Sequence, residues 1–423
     1  MTSPSNNTRN LVLYFQVHQP KRLATVSFFD IGSGTDYFDE ELNRSIMQRV
    51  SRNCYIPVNK LLLKLIRKHP EIKITFSISG VALEQMALYA PEALESFRDL
   101  VLTGSVELLG ETYYHSLSFM LSQHEMEIQI LKHVAAIDEY FGVRPSVFRN
   151  TELIYNNNIG RRVGMLGFNG VLIDGVNSIL DQRNANDLYY HPEETHVRLF
   201  LRNYLLSDDI AFRFSQYGTP LTAEKYLTWL KELPPEEQLV TLAMDYETFG
   251  EHQKKETGII DFLGRLLKEL NKEKTIQMAT PTEVIRRMKP CGALSVTESI
   301  SWADQERDLS AWLGNEMQRD AFGSLARIEP ELKNIHDKTL LHLWRCLQTS
   351  DHLYYMSTKK GSDGGLHNYF SPYPSPYEAF INYMNIMTDF SLRVQATKIA
   401  TRRNKRPSVG SHKADIPFGL QLS

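Results

Sequence analysis

One repeating unit constrains this chain more than any other feature: a short apolar run, then a polar cluster, then a segment of helical period. LVLYFQV (11–17) runs into His18-Gln19-Pro20, and KITFSIS (73–79) runs into Gly80 and the helix-period stretch VALEQMALYA. SVELLG (105–110) ends in ETYYH, and a helix is predicted from about Gln123 to Glu139, with Ile128, Leu131, Val134 and Ile137 at helical spacing. SVF (146–148) ends in RNTE, NGVLID (169–174) in Gly-Val-Asn, and VRLFLRNYLLS (197–207) in Asp208-Asp209. LVTLAM (239–244) ends in DYETFGEHQ, and IQMA (276–279) precedes a Pro281-led helix. Strands that alternate with helices pair in parallel and are covered on both faces, so the fold class expected is α/β. In closed form that is a parallel βα barrel. An open doubly wound sheet competes with it, but no GxGxxG or GxxxxGK[ST] follows any run.

A chain of 423 residues exceeds what one core usually organises. After about Ser295 the strand-like runs stop, and amphipathic segments such as AWLGNEMQRDAFGSLARI and KTLLHLWRCLQTSDHLYYM predict helices. The expected organisation is a barrel over 1–294 and a helical domain over 295–423. GSDGGLHNYFSPYPSPYEAF (361–380) reads as a Gly-, Pro- and aromatic-rich loop able to reach over the barrel mouth. Net charge is -3 with the signs interspersed, which argues against nucleic acid or an anionic membrane as partner. The basic stretch Thr401 to Arg406 reads as a solvated end. No secretory signal opens the chain and no segment approaches roughly 20 apolar residues, so a cytoplasmic location is expected. Cys54, Cys291 and Cys346 are widely separated and read as free thiols.

In a barrel the chemistry gathers at the C-terminal strand ends. Those ends carry His18, Glu111, His115, Glu152, Asp174, Asp208 and Asp245. Any one of them is explained as well by a helix cap, a solvated charge or a structural ion pair; it is their convergence that points to a site. Glu152 and Asp245, on different strands, suit the nucleophile and acid/base pair of glycoside hydrolysis. Asp245 leaves an apolar run, which favours a raised pKa, whereas Glu152 follows Arg149 and Asn150, which favour its ionised form. A metal held by His18, His115 and Asp245 is the competing chemistry, without an HxxxH pair to support it. A Ser or Cys nucleophile is disfavoured, because no GxSxG elbow occurs.

FQVHQP, GSVELLGETYYH, VFRNTELIY and MDYETFGEH, in that order and separation, resemble the conserved regions of glycoside hydrolase family 57, closest to its α-amylase-like members. ISWADQERDLSAWLGN resembles a further region of that family. The resemblance implies an incomplete, seven-stranded parallel βα barrel followed by a C-terminal helical bundle. It also implies a retaining mechanism on an α-glucan or maltooligosaccharide, with no cofactor and no metal. On that pattern Glu152 is the nucleophile and Asp245 the general acid/base. His18 and Glu107 fall on positions lining the sugar subsite, and His115, His252 and Trp302 are expected to join them. If Leu108 and Leu109 are buried, Glu107 points into the barrel and needs a partner such as His18; a structural ion pair is its alternative role. Related barrels, those of α-mannosidases and polysaccharide deacetylases, bind a metal at the mouth and supply the alternative mechanism, and a glucan-binding protein without turnover is a third reading. Hydrolysis and transfer share one glycosyl-enzyme, so both remain open.

Overall fold

The computed structural model describes residues 8–216, 220–333 and 335–404, with side chains to Ala400, so the basic stretch from Thr401 lies outside the described side chains. Seven parallel strands form a ring: β1 (Arg9–Val17), β2 (Ile74–Ile78), β3 (Val106–Leu108), β4 (Val147–Arg149), β5 (Gly170–Asp174), β6 (Arg198–Arg202) and β7 (Leu239–Asp245). β1 is the best-paired strand, flanked by β2 and β7 in long parallel registers. β2 pairs β3, β4 pairs β5, and β5 pairs β6 along its whole length.

Two seams close the ring with far less pairing. Between β3 and β4 the link is a single parallel bridge, Gly110 to Phe148. There Gly110 N donates to Val147 O at 2.9 Å and Arg149 N to Gly110 O at 2.8 Å. Between β6 and β7, Arg202 pairs with Thr241 alone, extended by Asn203 N donating to Thr241 O at 2.8 Å. The short strand Ile276–Met278 lies beside the start of β1, and Leu188–Tyr190 runs antiparallel to β6.

The strands read as apolar runs because both of their faces are buried. Val12 and Tyr14 of β1 meet Leu109, Val147, Leu172, Phe200 and Ala243 inside the ring. The alternate residues Leu11, Leu13, Phe15 and Val17 face outward into a cluster with Leu62 and Ile66 of the helix Ile56–Lys68 and Leu263 and Leu267 of Ile259–Lys272. On the other flank, Phe148, Val171, Ile173, Leu199 and Leu201 belong to a second cluster that includes Trp312, Leu325, Trp344, Tyr383 and Phe390. The C-terminal helices Glu316–Leu332, Lys338–Cys346 and Pro376–Asn404 therefore share a continuous core with β4 to β6.

Two expectations are corrected. The run 197–207 is not one strand: β6 stops at Arg202, because the Asn203 side chain accepts from Leu206 N and caps a helix, Tyr204–Ala211, that carries Asp208. The stretch 361–380 is not a loop either. It forms the helix Gly361–Phe370, and Pro376 then opens the long terminal helix. The segment after β1 is tied to that last helix: Val26 N donates to Asn382 Oδ1 at 2.7 Å, Asn385 donates to Val26 O at 2.8 Å, and Asp389 accepts from Gly32 N at 2.6 Å and from the Tyr37 hydroxyl. Among the described residues no helix is long and apolar enough to cross a membrane.

The β3–β4 seam leaves no room for a side chain, since a Cβ on Gly110 would lie 2.7 Å from the Phe168 ring. Gly110→Ala is expected to lower the free energy of unfolding by about 2 kcal/mol, measured by urea denaturation. A loss below about 0.5 kcal/mol would show that Phe168 gives way and the seam is slack.

Candidate active site

The site begins with backbone that most side chains avoid. His115 has φ 51°, Glu152 φ 55° and Leu153 φ 52°, all in the left-handed region. Each such residue costs on the order of 1–3 kcal/mol, and such costs cluster where function fixes the geometry. Glu111, just past β3, is fully buried, and the turn after it brings His115 back over its carboxylate. His115 Nδ1 lies 3.1 Å from Glu111 Oε2, and its Nε2 lies 2.7 Å from Glu152 Oε1. Arg149, buried at the end of β4, donates from Nη1 to the same Glu111 oxygen at 3.3 Å. A carboxylate at each ring nitrogen selects the imidazolium, which donates from both.

These contacts separate the protonation states. Burial pushes the His115 pKa down, but the bonds to Glu111 and then Glu152 outweigh it and raise the pKa to about 9. Glu111 resists burial in the same way and falls to about 2 under the influence of His115 and Arg149. Burial would raise Glu152 too; the hydrogen bond and charge of His115, then Arg149 and the Trp302 N–H, hold it below the usual carboxylate range. Asp245, at the end of β7, goes the other way. Burial and the charge of Glu152 push it up to about 7, against the opposing pull of Arg149, His115 and Arg202. The asymmetry expected from the flanking sequence is present, though His115 rather than Arg149 contributes most to the ionisation of Glu152.

His18 stacks on His115, with ring centroids 3.8 Å apart and planes at 20°. Its Nδ1 lies 2.7 Å from Ser79 Oγ and its Nε2 3.0 Å from Asp351 Oδ2. Burial, followed by the His115 charge, lowers its pKa, against the opposing pull of Asp351. Trp302 donates from Nε1 to Glu152 Oε2 at 2.6 Å, so both oxygens of that carboxylate are held. The Arg149 and Arg202 guanidiniums lie 5.9 and 5.5 Å from the Trp302 ring centroid. Next along from Asp245, Glu247 is pushed up to about 8 by burial and then by the Asp245 charge; it accepts from the Tyr55 hydroxyl and from Gln19 Nε2 at 3.4 Å.

The structure thus brings His18, His115, Glu152 and Trp302 together and sets Asp245 facing their charges. It does not bring Glu107. That side chain is directed inward below Leu109, and its carboxylate accepts from Thr282 N at 2.9 Å and Thr282 Oγ1 at 2.6 Å at the start of the helix Pro281–Arg287. Its partner is Thr282 and not His18, because strand alternation fixes which face a residue takes but not its height along the barrel. His252 packs against Tyr369 and Phe370, with centroids 5.8 and 5.3 Å away, and burial lowers its pKa to about 4. It belongs to the wall built by the helix Gly361–Phe370. Asp174 and Asp208 pair with Arg202 and Arg307.

Asp351 is the residue that sequence reasoning missed. It lies in the short helix Ser350–Tyr354, and its pKa is held well below the usual range: burial opposes this, but the His18 charge and hydrogen bond prevail. The helical region reaches the site through backbone contacts, with Ser350 N donating to His115 O at 2.9 Å and Thr349 Oγ1 to Tyr114 O at 3.0 Å. His18, His115 and Asp351 offer donor atoms within 4.8 Å of one another, whereas Asp245, expected as the third member of such a set, is not in the group.

A model of glycosyl hydrolase family 57 matches residues 12–297. A protein of Methanocaldococcus jannaschii carried under the name "Putative alpha-amylase" is 42% identical over 398 residues, 90% of this chain and 84% of its own length. Among solved structures, a GH57-type branching enzyme from Pyrococcus horikoshii superposes with a TM-score of 0.68 at 15% identity, over 95% of this chain and 92% of that one. The α-amylase AmyC of Thermotoga maritima gives 0.64 at 14% identity, over 93% and 94% of the two chains. At those identities the two structures are similar in fold.

The His115 cation makes a prediction for stability. Its folded-state pKa, about 9, lies above the ordinary 6.5, so its ion pairs contribute fully below about pH 6.5 and are lost as pH rises through about 9. The melting temperature should fall across that window, and His115→Gln should flatten that part of the profile. An identical fall in the variant would assign it to another group.

Proposed function

The chain belongs to glycosyl hydrolase family 57, and we propose that it cleaves α-linked glucans with retention, Glu152 serving as nucleophile and Asp245 as general acid/base. One observation carries this reading: within a single buried charge network, Glu152 is held below the usual carboxylate range while Asp245 is raised to about 7, so that up to near neutral pH an ionised carboxylate stands beside a carboxyl that still carries a proton. A nucleophile and an acid at neutral pH require that division.

In the first step a lone pair of the Glu152 carboxylate attacks the anomeric carbon, and Asp245 gives its proton to the departing glycosidic oxygen. The charge lost from Glu152 on forming the ester is charge that His115 and Trp302 had been holding, so both donors also stabilise its return as leaving group. In the second step Asp245 takes a proton from water or a sugar hydroxyl, which attacks the glycosyl-enzyme and frees Glu152. Water gives hydrolysis and a sugar hydroxyl gives transfer. The α-amylase and branching-enzyme names of the similar proteins cover both outcomes. Incubation with maltooligosaccharides, with products separated by size, decides between them: only shorter chains mean hydrolysis, and longer chains mean transfer.

The rate should follow a bell in pH. Its acid limb, from Glu152, lies below the ordinary 4.5, and its alkaline limb, from Asp245, lies near 7. Asp245→Asn should remove the alkaline limb on an aryl glucoside with a good leaving group while leaving the acid limb; two unchanged limbs would assign the acid elsewhere, Glu247 first. Glu152→Gln should lower kcat at least about a thousandfold with the fold intact by circular dichroism. The competing reading, a metal hydrolase using His18, His115 and Asp351, requires that dialysis against EDTA abolish turnover. The retaining reading requires that it does not.

A further inference from the structure

Trp302 supplies the second hydrogen bond to Glu152, yet it lies on an irregular segment with no helix or strand to fix it. Upstream, Ile300 is bridged to Tyr155, with each backbone N donating to the other's O at 3.0 Å. Downstream the chain turns through Asp304 and Arg307, both left-handed at φ 55° and 53°. Arg307 folds back over this turn. Its Nη1 donates to Trp302 O at 2.9 Å and to Asp174 Oδ2 at 3.0 Å, its Nη2 to Asp208 Oδ2 at 3.3 Å, and its own carbonyl accepts from Ser301 N at 2.9 Å.

The two carboxylates that receive Arg307 are anchored in the barrel. Arg202, at the end of β6, donates to Asp174 Oδ1 at 3.4 Å and to Asp208 Oδ1, and its Nε donates to Ala243 O of β7 at 2.8 Å. Two arginines and two aspartates thus form a neutral group rooted in β5, β6, β7 and the helix Tyr204–Ala211, and that group ends on the carbonyl of Trp302.

We propose that Arg307 is a positioning residue for the nucleophile, acting through Trp302: it docks the 301–309 segment on the barrel so that the indole N–H meets Glu152 Oε2. Arg307 makes no contact of its own with the carboxylate. The titratable groups that face Glu152 come from elsewhere: His115 with Glu111 behind it after β3, Arg149 on β4, Asp245 on β7, and Tyr354 of the helix Ser350–Tyr354. None of these is held by Arg307, so its influence on Glu152 runs through Trp302, which reaches the carboxylate with its indole N–H and the Glu152 carbonyl with its backbone N–H at 3.2 Å; we assign the effect to the indole. The inference rests on Glu152 being the nucleophile.

The test is a pH–rate profile for Arg307→Lys, Trp302→Phe and the double variant, with thermal melts alongside. Lysine keeps the charge but loses the fork that reaches Trp302 O and both aspartates together. Arg307→Lys should raise the acid limb by about one pH unit and lower kcat about tenfold with little change in KM, as should Trp302→Phe, which removes the N–H donor while keeping an aromatic ring. The double variant should go no further than Trp302→Phe alone. An unmoved acid limb in Arg307→Lys, or additive effects in the double variant, would overturn the proposal. If Arg307→Lys does not fold, Asp208→Asn, which weakens only one of the carboxylates under Arg307, takes its place with the same expected shift and the same overturning result. Turnover surviving in Glu152→Gln would instead mean that the nucleophile assignment itself is wrong.

Discussion

Much of this molecule is organised around one buried cation. The His115 ring, fully enclosed, lies between the carboxylates of Glu111 and Glu152, and Arg149 completes the set. A charge taken out of water is tolerated only when paired and hydrogen-bonded, and here two cations meet two anions. The group is balanced before Asp245 is counted. Ionising Asp245 would add an uncompensated negative charge facing Glu152, which is why it rather than its neighbour keeps the proton. The opposite shifts of the two carboxylates are thus a property of the whole network and not of either residue.

Holding that network requires three sources of support. The β3–β4 seam at Gly110 sets Arg149 against Glu111, and backbone from the helical region pins His115 from above. Left-handed backbone at His115 and Glu152 aims their side chains at each other. Such strain persists only where the surroundings over-determine it. The shared core between β4–β6 and the C-terminal helices supplies the over-determination, with Trp312, Trp344 and Tyr383 in the same cluster as Phe148 and Ile173.

The strands were legible in the sequence because double-sided burial leaves a near-continuous apolar run, as LVLYFQV shows. Runs fail where a local cap outweighs composition: Asn203 ends β6 five residues before the apolar stretch ends. Gly361–Phe370 reads as a loop from its three glycines, yet it is a helix whose packing overrides propensity. Glu152 and Asp245 stand out in the sequence because they end apolar runs and lie in stretches that resemble a family motif. Asp351 has neither mark: a single acidic residue opening a short helix looks like any capped helix. Glu107 shows the opposite failure, since alternation puts it inside the barrel while only three dimensions give its height. The indole N–H of Trp302 on Glu152, across 150 residues of chain, has no sequence signature.

The bonds between the segment after β1 and the terminal helix also bear on how the chain is made. Val26 and Asn382 are 356 residues apart, and Gly32 and Asp389 are 357 apart. During synthesis the segment emerges more than 350 residues before its partners. Until then the segment lacks these bonds, and the barrel beside it lacks both this strap and Asp351. In synthesis from the N-terminus, His18 therefore waits 333 residues before it receives its carboxylate, and the outer face of β4 to β6 waits as long for the helices that cover it.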